Sequence, residues 1–265
     1  MSDIILQANN LVKTYTQTTG RFGLGSNQIK ALDDVSIALK AGSTLAVVGE
    51  SGSGKSTLAR CLLQLHPFDS GEVLFEGVDL AKLDKNALRE KRKHLQMVFQ
   101  DPFASLNPRM KVGEIVGEGL LIHGLGNKEE QLAQVMVMLK RVGLTEADAK
   151  KYPHQFSGGQ RQRIGIARAL VLKPKVVVCD EPVSALDVSV QAQILLLLKE
   201  LQAEMALSYV FISHDLRVVR HIADEIVVMN AGKIIEFGKV VDVYNAPQQL
   251  YTQQLLSAIP GRKAA

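Results

Sequence analysis

The chain has 265 residues, 46% apolar and 22% charged, a balance that excludes a disordered chain and suits one large domain or two modest ones. Lysine and arginine number 31 against 27 aspartates and glutamates; the net charge of +4 permits an anionic partner, nucleic acid or a membrane surface, but no basic run is long or interleaved with aromatics. No apolar run approaches the roughly 18 residues of a membrane span and the first residues lack the pattern of a secretory signal, so a cytoplasmic chain is expected.

Ile4 to Leu39 carries alternating strand-like segments. Within it, Thr16 to Ser26 is rich in Gly, Thr and Ser, and Gly20, Gly23 and Gly25 predict a flexible surface loop, since no strand-to-helix context surrounds them. Thr44 to Val48 is a short apolar run ending at Gly49, and beyond the glycines Leu58, Cys61, Leu62 and Leu65 share one helical face; strand, loop and helix follow in turn. Gly71 to Gly77 returns to strand-like alternation, so an antiparallel β layer is expected in the N-terminal half. Leu95 to Phe99, Val176 to Cys179 and Tyr209 to Ile212 are short apolar strands of the kind that helices cover on both faces, and they predict a mostly parallel core.

From Asp101 to Gln155 strand-like runs vanish, and amphipathic segments such as Glu129 to Val142 predict an inserted helical subdomain. Val190, Ile194, Leu197, Leu198 and Leu201 form a helical stripe started by Asp187 as N-cap, and Asn230-Ala231-Gly232-Lys233 between apolar runs predicts a hairpin. The fold class expected is α/β, with a core from residues 1–100 and 156–240, a helical subdomain at 101–155 and a C-terminal extension at 241–265. Cys61 and Cys179 lack spaced partners and read as small core residues.

Gly49-Glu50-Ser51-Gly52-Ser53-Gly54-Lys55-Ser56 fits the phosphate-loop pattern in its strand-to-helix context. The glycines let backbone N–H groups converge on phosphates, the helix N-terminus adds partial positive charge, Lys55 reaches the terminal phosphates and the Ser56 hydroxyl suits Mg²⁺. Thr57, next in the helix, completes the candidate contacts. Val176 to Glu181 is a buried strand ending in two acids: Asp180 would hold Mg²⁺ and Glu181 would polarise the attacking water. Taken alone, adjacent acids describe a solvated strand end equally well; the phosphate loop upstream favours the catalytic reading.

Phe156-Ser157-Gly158-Gly159-Gln160 directly precedes a helix with the stripe Ile164, Ala167, Leu170 and Val171, which is either a second anion nest or an ordinary capped helix start. Here the chain resembles the ATP-binding cassette family, whose signature is a hydrophobic residue followed by S-G-G-Q. The resemblance implies that Ser157, Gly158, Gly159 and Gln160 of each protomer close over ATP held by a second, identical or related ATPase subunit. It further implies that Gln100 senses the metal and γ-phosphate, that Ser184-Ala185-Leu186-Asp187 is the D-loop, and that His214 is the switch histidine. Tyr15 resembles the aromatic residue that stacks on adenine, although a half-buried strand tyrosine fits it too.

Val98 to Arg109, Asp180 to Ser189 and Pro247 to Pro260 resemble ATPase subunits of oligopeptide and dipeptide importers, the second segment the latter of their two ATPases. This implies ATP hydrolysis powering import at the cytoplasmic face of the cell membrane, with membrane-spanning permease subunits as partners and a substrate-binding protein acting indirectly. Asp101 to Arg109 is expected to dock a cytoplasmic helix of those subunits, with Phe103 and Leu106 either its small apolar patch, the reading the resemblance favours, or anchors of the loop to its own subdomain. Some relatives carry a cysteine-rich iron–sulfur segment, but no cysteine follows Cys179, so no cluster is expected. Nickel importers use similar ATPases. Soluble cassette ATPases acting on nucleic acid or ribosomes are the alternative; these usually carry two cassettes or a long coiled coil, neither of which 265 residues hold, and no nucleic-acid partner is expected.

Overall fold

The computed structural model describes residues 4–19 and 25–259. In chain order its elements are β1 (Ile4–Thr19), β2 (Gly25–Lys40), β3 (Thr44–Val48), α1 (Lys55–Leu62), β4 (Ser70–Phe75), β5 (Val78–Asp79), α2 (Lys85–Arg92) and β6 (Leu95–Val98). Then follow α3 (Pro102–Ser105), α4 (Val112–Ile122), α5 (Lys128–Arg141), α6 (Gly158–Leu170), β7 (Val176–Asp180) and α7 (Val188–Met205). The chain ends with β8 (Ser208–Ser213), α8 (Leu216–Ile222), β9 (Glu225–Asn230), β10 (Lys233–Lys239), α9 (Val240–Asn245) and α10 (Leu250–Ser257). It divides into two compact units, residues 1–84 with 208–265, and residues 85–207.

In the first unit, β2-β1-β4-β5 form the expected antiparallel layer. Leu6 and Ala8 face the core, but the next buried residue of β1 is Leu11, three positions on. The register shifts between Ala8 and Leu11, where Asn10 sits at φ 49; Asp34 on β2 sits at φ 62, and both residue types tolerate the left-handed region. Asn10 Nδ2 donates to Asp34 Oδ1 at 2.8 Å and fixes the bulge. The loop expected at Thr16 to Ser26 is shorter than its composition suggests: Thr16–Thr19 pair with Gln28–Gly25 as a continuation of the ladder, while Gly20 and Gly23 lie outside the described residues.

All five residues of β3 are buried, and β3 runs parallel to β8 and β9, which is why its sequence is unbroken apolar rather than alternating. The expected hairpin joins β9 to antiparallel β10 through Ala231 (φ 47) and Gly232 (φ 81), two successive left-handed residues whose twist matches that of the strands. Ala46 and Val48 of β3 and Ile226 and Val228 of β9 meet Leu216 and Val219 of α8, Val240, Val243 and Tyr244 of α9, and Leu256 of α10 in one cluster. The C-terminal helices thus complete this core. Leu65 is exposed, against expectation, because α1 stops at Leu62 and Gln64 turns to φ 53.

In the second unit β6 and β7 pair in parallel, Leu95 with Val176 through Val98 with Cys179; Phe99, expected within the strand, lies just outside it and is exposed. The segment between them is helical as expected. Asn127 caps α5 by accepting from Glu129 and Glu130 N–H, and Glu130 returns a hydrogen bond from Asn127 N at 2.7 Å. Along α7 the buried face is Ile194, Leu197, Leu198 and Leu201, each contributing about 1.5–3 kcal/mol by leaving water.

Candidate nucleotide site

The phosphate loop is built by close backbone approach. A Cβ at Gly49 would stand 2.2 Å from Met229 O, and one at Gly54 would stand 2.2 Å from Ala31 O. Gly54 also occupies φ 106 as the N-cap of α1, a conformation that L side chains rarely adopt. It brings no capping side chain, so the first turn of α1 points its amides where an anion would lie. Lys55 is only 5% exposed; its ammonium donates to Gly49 O at 2.8 Å, Glu50 O at 2.7 Å and Ser53 Oγ at 3.4 Å. The buried charge is thereby solvated by the loop's own acceptors. Gly232 N donates to Ser53 O at 3.0 Å and Glu50 N to Tyr251 Oη at 3.2 Å, which pins the loop from two further sides.

Val48 of β3 is level with Ser213 of β8, so Gly49 and His214 leave neighbouring parallel strands at the same carboxyl edge, where open α/β sheets bind ligands. Asp215, next to His214, caps α8 and forks onto Arg217, with Nη2 to Oδ2 at 2.8 Å; that pairing holds the Asp215 carboxyl below its usual range. Tyr15 lies on β1 in the same unit, 37% exposed, with its hydroxyl 3.1 Å from His66 Nδ1 and the Lys13 ammonium 5.4 Å from its ring centroid.

The second unit holds the remaining candidates. Asp180 ends β7 almost fully buried. Glu181 follows at φ 46, a strained position for a non-glycine residue, and its carbonyl is fixed by Ser184 N at 3.2 Å and Ser184 Oγ at 3.1 Å. Gln100 Nε2 donates to Glu181 Oε2 at 3.1 Å, joining two candidates 81 positions apart. Ser157 caps α6: Gln160 N donates to its Oγ at 3.3 Å, and Ser157 N donates to Gln160 Oε1 at 3.0 Å. Gly158 faces Leu186, and a Cβ on Gly159 would stand 2.5 Å from Val190 Cγ1, so the signature segment and the Ser184–Asp187 loop are packed together. Asp187 accepts from Val190 N at 2.9 Å and Ser189 Oγ at 2.7 Å, bonds that lower its carboxyl pKa.

The expected apolar pair splits. Phe103 is 64% exposed, whereas Leu106 is 2% exposed and serves as a core anchor, because α3 is a single turn capped by Asp101 that drops Leu106 inward. Sequence reading also passed over three supporting side chains. Arg161 lies buried behind the signature, donating through Nε to Pro153 O at 2.7 Å with its guanidinium 3.7 Å from the Phe103 ring centroid. Gln191 ties the Asp187 loop through Val183 O and Leu186 O, both at 3.0 Å. The third is Tyr251. Only Gln191 left a local signal, a polar residue one turn beyond the N-cap. Both cysteines are buried; burial pushes the Cys61 thiol up to about 11 and the Cys179 thiol further, which leaves both inert.

A family model described as ABC transporter matches residues 32–184. The chain is 53% identical over 256 residues to the dipeptide transport ATP-binding protein DppF of Escherichia coli (strain K12), covering 97% of this chain and 76% of that one. It is 49% identical over 259 residues to the oligopeptide transport ATP-binding protein AppF of Bacillus subtilis (strain 168), covering 97% and 79%. Among solved structures it is similar to a dimeric ATP-binding cassette in a post-hydrolysis state bound to ADP and Pi, with a TM-score of 0.78 and 32% identity over 89% of this chain and 98% of that one. A lysine-bearing phosphate loop at the edge of parallel strands, an acid-ended β7 and an S-G-G-Q helix start, carried on a P-loop NTPase α/β fold, are thus found together in a chain that belongs to the ABC transporter family and carries its ATP-binding ATPase domain.

Proposed function

We propose that this chain is the ATP-hydrolysing subunit of a peptide importer, working at the cytoplasmic face of the cell membrane on separate membrane-spanning subunits. The observation that carries the reading is 53% identity across 97% of the chain to a protein named for dipeptide transport. No helix among the described residues is long and apolar enough to cross a membrane, which is in keeping with separate membrane subunits.

In this reading Gly49 to Thr57 cradle the phosphates of ATP, Lys55 leaves its loop carbonyls for the terminal phosphates, and Tyr15 stacks on adenine. Glu181 takes the proton of the attacking water as oxygen bonds to the γ-phosphorus and ADP departs; Gln100 orients the Glu181 carboxylate through the 3.1 Å hydrogen bond. His214 contacts the γ-phosphate, and Ser157 to Gln160 with Asp187 complete the site of a second ATPase subunit. The Ser56 hydroxyl, the Asp180 carboxylate and the Gln100 amide oxygen are hard oxygen donors that fit Mg²⁺, which when bound neutralises phosphate charge.

The test is reconstitution of the chain with its co-purifying membrane subunits in vesicles supplied with labelled di- and oligopeptides. ATP-driven peptide uptake that stops in Glu181→Gln is expected. Uptake of Ni²⁺ without peptide would overturn the cargo, and retained nucleic acid in place of membrane subunits would overturn the transport reading.

A further inference from the structure

The segment from α9 to α10 has no part in the reading above, yet two of its tyrosine hydroxyls reach loops of the nucleotide site. Tyr244 is buried and donates to the carbonyl of Leu216, the first residue of α8, just beyond His214. Tyr251, half-buried with Leu255 and Ile259 against the cluster of β3, β9, α8 and α9, accepts from Glu50 N–H at 3.2 Å.

Glu50 occupies a particular place in the phosphate loop. Its carbonyl accepts from Lys55 Nζ at 2.7 Å and from Ser53 N at 3.2 Å, so the same residue holds the lysine on one side and the tyrosine on the other. The flanks of the loop are wedged in place by Gly49 against Met229 O and Gly54 against Ala31 O, whereas Glu50, Ser51 and Gly52 are exposed. A bound nucleotide must draw Lys55 from the Glu50 carbonyl toward phosphate oxygens. At that moment the Glu50 carbonyl loses its ammonium partner and keeps only Ser53 N, while the Tyr251 hydroxyl holds the Glu50 N–H on the other side of the residue.

We infer that Tyr251 is a positioning residue for the phosphate loop: its hydroxyl fixes the Glu50 peptide, so that the C-terminal segment sets the affinity of the loop for the phosphates of a nucleoside di- or triphosphate. Without the hydroxyl, the ligand itself must order the exposed limb, and that ordering cost is subtracted from binding. A single net hydrogen bond corresponds to roughly a threefold to tenfold change in affinity. The inference rests on the phosphate loop being the ATP site, and the experiment separates the two.

The full chain is titrated calorimetrically with ADP, and ATP hydrolysis is followed in the assembled complex, for the unaltered protein, Tyr251→Phe, Leu255→Ala and Lys55→Ala. Tyr251→Phe keeps the ring and its packing; roughly threefold to tenfold weaker ADP binding and a matching rise in KM for ATP are expected, with kcat and the nucleotide-free melting temperature nearly unchanged. Leu255→Ala loosens the same cluster without touching Glu50, so it should lower the melting temperature and leave ADP affinity alone. Unaltered ADP affinity in Tyr251→Phe beside strong loss in Lys55→Ala would overturn the inference and keep the site. Equal weakening by Leu255→Ala would reduce Tyr251 to a packing role. Full ADP affinity in Lys55→Ala would overturn the site itself.

Discussion

At α1 the helix starts bare, with Gly54 in the left-handed region, no capping side chain and a buried lysine satisfied by the loop's own carbonyls. At α6 the helix also starts behind a serine and glycines, but Ser157 and Gln160 close a reciprocal cap and neither Gly158 nor Gly159 has positive φ. The first nest is held in shape by distant backbone, Ala31 O and Met229 O, while the second is made by four consecutive residues. An uncapped start with a positive charge behind it has the most to gain from an anion. A capped start is stable by itself and has its first amides satisfied without an anion.

The largest test of this contrast is chemical. Lys55→Ala removes the charge from the bare nest and is expected to cut ATP hydrolysis at least about 100-fold, on the order of 3 kcal/mol of transition-state stabilisation, with near-normal folding by circular dichroism. Near-normal turnover would mean that the loop is only a turn. Next come the glycines: Gly54→Ala combines φ 106 with a 2.2 Å approach to Ala31 O and should destabilise the chain by roughly 3 kcal/mol in urea unfolding. Gly158→Ala meets only Leu186 Cδ2, at 3.5 Å, and should be neutral or stabilising by about 0.5 kcal/mol. Equal costs at the two positions would erase the contrast. Ser157→Ala, which removes the neutral cap, should cost about 1 kcal/mol at any pH.

The smallest effect distinguishes a charged cap from that neutral one. Asp148 accepts from Lys151 Nζ at 2.7 Å, Thr145 Oγ1 at 2.7 Å and Thr145 N at 2.8 Å, which holds its carboxyl down at about 2. Because the folded value is depressed, its contribution is complete above pH ~4 and lost as pH falls toward ~2. On this partly exposed turn it amounts to well under ~1 kcal/mol. Asp148→Asn should flatten that part of the acid unfolding curve, whereas an unchanged slope would show that the turn is held by something else.

What could be read from sequence was what neighbours in the chain decide. The phosphate loop, the Ser157 and Asp187 caps, the 231–232 turn and the α7 stripe all depend on residues a few positions apart. What escaped depends on tertiary partners. Tyr251 and Glu50 are 201 positions apart, and nothing local marks their contact. Phe103 and Leu106 look alike in an apolar pattern, but the single turn of α3 sends one outward and the other inward. Polar Thr16 to Thr19 read as loop because strand pairing, which satisfies backbone rather than side chains, leaves little trace in composition.

The position of β3 carries a consequence for how the chain is made. Thr44 is level with Tyr209 of β8, and Leu45 with Glu225 of β9, so the strand that launches the phosphate loop lies between partners far along the chain from it. During synthesis both flanks of β3 stay unpaired until β8 and β9 have left the ribosome, and loop-closure entropy makes such non-local pairing slow. Met229 and Gly232, which hold Gly49 and Ser53, arrive later still. A nascent chain that has not yet reached Gly232 therefore displays every residue of the phosphate-loop motif without the contacts that shape the loop, and nucleotide binding is acquired only once that hairpin has been made.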